Sequence, residues 1–102
     1  MNYFLYKLNS PRPSFPADIT PDERKLMQEH VVYWGGLMSQ GLVIAFGPVA
    51  DPKGSYGISI LRLKEGADAN TLGAGDPAIV ANAGFNFEVY PMPRLVLATE
   101  HA

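Results

Sequence analysis

Two residues of this chain have the chemistry of a proton-transfer pair. His30 is one of only two histidines, and imidazole is the side chain whose charge changes nearest neutral pH. Leu26 lies four residues before it, and Tyr33, Trp34 and Leu37 lie three, four and seven after it. These spacings share one helix face, so His30 sits inside an apolar stripe that faces a sheet rather than water. Two readings stay open. A histidine so placed is more often packed and satisfied by one backbone carbonyl; the sharper reading is a general acid or base at the floor of a pocket. Asp76 is the second candidate. Asp76-Pro77 is a common way to begin a helix, with the aspartate as cap. A carboxylate has about four acceptor sites, so capping and orienting an imidazole are compatible.

The other candidates are weaker. Arg12, in a proline-rich loop, is a solvated arginine unless that loop folds over the pocket to meet an anionic substrate. Trp34 on the helix stripe is core more often than pocket wall. Gly47-Pro48 either brings backbone close to a ligand or ends a strand. His101 lies in a tail, residues 98–102, where chain ends fray, and carries no assigned role. A metal site needs three or more convergent ligands, and beyond His30 only scattered carboxylates are present. No G-x-G-x-x-G or P-loop pattern offers a seat to a nucleotide. The expectation is that no cofactor and no metal are used.

The elements that position these residues read clearly in places. Residues 3–8, Tyr-Phe-Leu-Tyr-Lys-Leu, form a strand. Residues 9–19 carry three prolines and form a long loop. Thr20 caps the first helix, Pro21 suits its first position, and Glu23 completes a capping box. Gly35-Gly36 weakens the last turns and Gly41 stops them. Residues 42–49 and 56–63 form a hairpin, with the first strand ending near Gly47-Pro48 and a turn cluster between. Residues 66–83 read as a helix broken around Gly73-Gly75 that restarts at Asp76-Pro77. Residues 85–90 alternate as a fourth strand limited by Pro91 and Pro93, and 94–97 are expected to extend an edge.

The order β-α-β-β-α-β predicts a single ferredoxin-like α+β domain over residues 1–102, a four-stranded antiparallel sheet with both helices on one face. Two helices cover only one side of four strands. The first strand nevertheless carries apolar side chains on both sides: Tyr3 and Leu5 on one, Phe4, Tyr6 and Leu8 on the other. The uncovered side is therefore expected to pack on a second copy of the chain, since twofold dimers dominate oligomers. Composition agrees, with 47% hydrophobic and 18% charged residues.

A net charge of −2 with no run of Lys or Arg argues against nucleic-acid binding. No apolar stretch approaches the roughly 20 residues that span a bilayer, and Met1-Asn2-Tyr3 opens without a basic region, so no membrane partner and no signal peptide are expected. The absence of cysteine excludes disulfides and thiolate chemistry and fits a cytoplasmic address.

Taken in order, several of these residues resemble the YCII-related family. They are His30 with Tyr33-Trp34, Gly41, Gly47-Pro48, the Gly-rich turn from Asp51 to Gly57, Asp76-Pro77 and Glu88-Val89-Tyr90-Pro91. The resemblance runs from about residue 3 to residue 97. It implies a dimeric ferredoxin-like fold, akin to muconolactone isomerases and other dimeric α+β barrels. It also implies a His–Asp active pair falling on His30 and Asp76, and it sets Ser59 at a polar pocket position. The loop at 9–19 is longer than the family's usual connection and the second helix is interrupted at Gly73 and Gly75, so substrate identity does not carry over.

The expected function is a cofactor-independent acid–base enzyme, eliminating or isomerising a small cyclic or aromatic metabolite. His30 and Asp76 are its catalytic residues, and Tyr33, Trp34 and Ser59 are expected to bind substrate. The alternative is a non-catalytic binding module for a small molecule, built on the same fold.

Overall fold

The computed structural model of the chain describes residues 1–98. Four strands, β1 (Asn2–Asn9), β2 (Val43–Val49), β3 (Tyr56–Leu63) and β4 (Asn86–Met92), alternate with helices α1 (Pro21–Ser39), α2 (Ala69–Ala74) and α3 (Pro77–Val80). The sheet order is β2-β3-β1-β4, and every neighbouring pair is antiparallel.

Local chemistry explains the elements. Thr20 accepts from the Glu23 amide at 3.1 Å and the Glu23 carboxylate accepts from the Thr20 amide at 2.9 Å, which closes the capping box that starts α1. Gly41, at φ +79°, supplies the left-handed residue that turns the chain into β2. Asp76 caps α3 by accepting from the Ala78 amide at 2.9 Å.

Alternation then sorts side chains between the two faces of the sheet. Phe4, Tyr6 and Leu8 of β1 pair with Leu61, Ser59 and Gly57 of β3 on the helix-covered face. Tyr6, Trp34 and Leu61 are completely buried there. Tyr3, Leu5 and Lys7 share the opposite face with Ile58, Ile60 and Arg62, and most of these side chains are only half-buried.

The strand ends differ from expectation. β2 runs through Gly47-Pro48 to Val49, because both residues still pair with β3. β4 runs through Pro91, which pairs with Phe4. β4 is an edge strand, so a proline can leave its missing N–H on the unpaired side. Residues 94–97 are not strand. The interrupted second helix is two short ones, α2 and α3, with the chain between them bent so that Asp76 points into the core. His101 lies outside the described residues. Among the described residues, no helix is long and apolar enough to cross a membrane.

Candidate active site

Asp76 is fully buried, and a buried carboxylate persists as an ion only if donors surround it. Four do. Its Oδ2 accepts from Tyr6 Oη at 2.8 Å and from Trp34 Nε1 at 2.8 Å, and lies 2.7 Å from His30 Nδ1. Its Oδ1 takes the Ala78 amide. Burial is the largest single influence and works against the charge. The hydrogen bonds from His30 and Trp34 outweigh it and hold the Asp76 carboxyl below its ordinary range. Burial, followed by the facing Asp76 charge, pushes the Tyr6 phenol well above its usual value, so Tyr6 stays a protonated donor. With an ionised acceptor opposite, a proton belongs on His30 Nδ1, so in the neutral imidazole Nε2 is the bare nitrogen.

His30 also lines a cavity of about 500 Å³, within the ~300–1,000 Å³ range of small-molecule sites. His30 sits on its wall between Met27 and Val31 of α1. Its floor is the sheet at Leu8, Phe46 and Gly57, and Phe15, Pro16 and Ile19 of the 9–19 loop close over it with Phe85. The ring of Phe15 stands edge-on to that of Phe85, with centroids 5.5 Å apart. Gly57 shapes the space. It faces the helices opposite Leu8 and Pro48, where a side chain would fill the floor.

The loop is held shut by charge. Arg12 donates to both Glu23 carboxylate oxygens at 2.7 and 2.8 Å and to Asp18 at 3.0 Å. The Arg12 hydrogen bonds push the Glu23 carboxyl down to about 2. Arg12 thus folds toward α1 as the latch of the loop, and its charge is spent there rather than offered to the cavity.

Of the five residues expected to act on or bind substrate, His30 and Asp76 are brought together, and of those five only His30 lines the cavity; Gly47 and Pro48, the weaker backbone candidates, line it as well. The expectation that Tyr33 or Trp34 forms a wall needs correcting. Trp34 is fully buried and spends its N–H on Asp76, and the Tyr33 hydroxyl donates to the Leu72 carbonyl at 2.7 Å. Ser59 is buried beside Tyr6 in the sheet and does not reach the cavity. Sequence reasoning missed Tyr6, which lies 70 residues from Asp76. Its signal was present: a tyrosine on the covered face of a strand needs a buried partner for its hydroxyl. Among the described residues, no group of three or more His, Cys, Asp or Glu side chains is placed to hold a metal ion.

The sheet order, with the helices on one side, defines a ferredoxin-like α+β domain. Within that class the chain belongs to the YCII-related family, whose sequence pattern matches residues 1–93. No curated protein matches it. Among solved structures, the crystal structure of a formyltetrahydrofolate deformylase from Pseudomonas putida KT2440 is similar at 17% identity and a TM-score of 0.42. The likeness covers 88% of this chain and only 28% of that one.

Proposed function

We propose that the protein is a cofactor-independent acid–base enzyme that isomerises, or eliminates a group from, a small cyclic or aromatic molecule held in the His30 cavity. The observation that carries this reading is the 2.7 Å contact between His30 Nδ1 and a buried Asp76 whose other donors fix it in place. Asp76 holds the tautomer and stabilises the imidazolium, as the aspartate of a catalytic triad does. Nε2 takes a proton from a carbon next to a carbonyl, and the freed electron pair moves onto the carbonyl oxygen. Return of the proton at another carbon gives an isomer, and loss of a leaving group gives an elimination product. Tyr6 and Trp34 are positioning residues that act through Asp76.

The test uses enolisable lactones and cyclic ketones in D2O, with deuterium uptake read by mass spectrometry. Wild-type protein should accelerate exchange, and His30→Ala should lose roughly 10²- to 10⁴-fold of that rate while staying folded. Equal rates in the two proteins overturn the reading.

A specific observation favours a second reading, a binding module. Among the described residues, no Asp, Glu, Lys or Arg lines the cavity, so His30 faces no carboxylate or amine there as a partner in proton transfer. Ligand binding without deuterium uptake would select it.

The same proposal includes a homodimer formed through the open sheet face. Tyr3, Leu5, Ile58 and Ile60 support it, because they leave apolar surface there that no helix covers. Sedimentation equilibrium at micromolar concentration should give twice the chain mass, and a monomer removes this part.

A further inference from the structure

We infer that the cavity selects an uncharged, largely apolar molecule and rejects the carboxylate of the same skeleton. This rests on the proposed function only in taking the His30 cavity as the ligand site. Among the described residues, no Lys, Arg, Asp or Glu lines the cavity. The cation nearest in sequence to its roof, Arg12, is held by two carboxylates, Asp18 and Glu23, so the latch as a whole carries negative charge. On the other wall the His30–Asp76 pair is negative when the imidazole is neutral and balanced when it is protonated. An entering carboxylate thus meets no uncompensated positive charge in either protonation state. It also gives up its water to a wall of Phe15, Phe46, Phe85, Met27 and Val31, and that desolvation is costly for an unpaired ion. A cation would meet favourable sign but the same dry wall, with no carboxylate in reach. A neutral molecule loses little on entry and can give or take one hydrogen bond at His30 Nε2.

Among the polar groups on the wall, Ser10 is already committed, its hydroxyl donating to the Ser55 carbonyl. The wall's other polar residues, Ser55 and Tyr56, are uncharged, so recognition rests on shape plus a few neutral polar contacts, with His30 as the one that can carry a proton either way. Such a site separates ligands by charge far more sharply than by the pattern of their polar substituents.

The test compares three probes with one ring system, 2-naphthol, 2-naphthoate and 2-naphthylmethylammonium, at pH 7. Binding is followed by titration calorimetry and by the NMR signals of the Met27 methyl and the His30 ring. The neutral probe should shift both signals and bind at least about tenfold more tightly than either ion. Gly57→Val, which places a branched side chain on the cavity floor, should abolish binding while far-UV circular dichroism and the thermal midpoint show a folded protein. Gly57→Ala is the milder control if the valine variant fails to fold, because its methyl meets Leu8 at an ordinary 3.7 Å; it should weaken binding. The inference is overturned if an ion binds as tightly as 2-naphthol, if no probe moves the Met27 signal, or if neither Gly57 variant weakens binding. Because the readout is binding, it separates from catalysis. Charge selectivity without deuterium uptake leaves this inference standing and the enzyme reading fallen, and uptake with a preference for the carboxylate does the reverse.

Discussion

The helix-covered face of the sheet has two halves built from the same strands, one filled and one hollow. In the filled half, Leu61 and Val43 of the sheet pack with Trp34 and Leu37 of α1, all fully or nearly buried. In the hollow half, the equivalent position on β3 carries Gly57, and the space above it is the cavity; Ser59, between the two, is buried beside Tyr6. The strands alternate in the same way in both. What differs is side-chain volume at one or two register positions, so a site arises where the core is left unfinished. The buried Tyr6–Trp34–Asp76–His30 group marks the seam between the halves.

The seam should be the most costly place to disturb. Asp76→Asn puts an amide NH2 among donors that need an acceptor. It should lower stability by about 3–5 kcal/mol, read by urea denaturation, and remove any deuterium exchange activity. A stable, active Asp76→Asn variant would break the division of the core into two halves joined by a charged seam. Next comes truncation on each side. Leu61→Ala in the filled half should cost about 2–5 kcal/mol. Met27→Ala enlarges a cavity that already exists, and should cost clearly less, on the order of 1 kcal/mol. Equal costs would mean that the hollow half is as closely packed as the other.

Glycine enlargement sharpens the contrast at smaller scale. A Cβ at Gly73 would stand 2.6 Å from a ring carbon of Phe87, whereas at Gly57 it meets only Leu8 at 3.7 Å. Gly73→Ala should therefore destabilise by about 1–3 kcal/mol from overpacking. Gly57→Ala should change stability by less than about 1 kcal/mol in either direction.

The smallest effect is with pH. The carboxyls of Asp76 and Glu23 both lie lower in the folded chain than in an unfolded one. Each therefore contributes stability that is complete above its unfolded value and is lost as pH falls through its folded value. For Glu23 that window runs from 4.5 down to about 2. Thermal melts should stay level near neutrality and fall in this acid range. Glu23→Gln should flatten part of the fall, the part that belongs to the loop over the hollow half.

The sequence was most legible where the determinants are local. The Thr20–Glu23 box, the helix stripe and the alternation of β1 each depend on a few adjacent residues, and each predicted its element. The strand ends were less legible. Pro91 is tolerated only because β4 lies at an edge, which is a property of the whole sheet. The site was half legible. Imidazole in an apolar stripe and Asp-Pro at a helix start marked His30 and Asp76, but the spacing left Trp34 open between core and pocket wall, because spacing fixes a face and not a hydrogen-bond partner. Tyr6 was hidden for a related reason, since its partner is 70 residues away.

One carboxylate has two duties at the edge of the hollow half. Glu23 closes the first turn of α1 through the Thr20 amide and also clasps Arg12 of the overlying loop, with Oε1 serving both donors. The loop and the helix start are thereby mechanically linked, and lifting one loosens the other. Any lifting of the loop would therefore register at a helix terminus, as faster hydrogen exchange at the single backbone amide of Thr20.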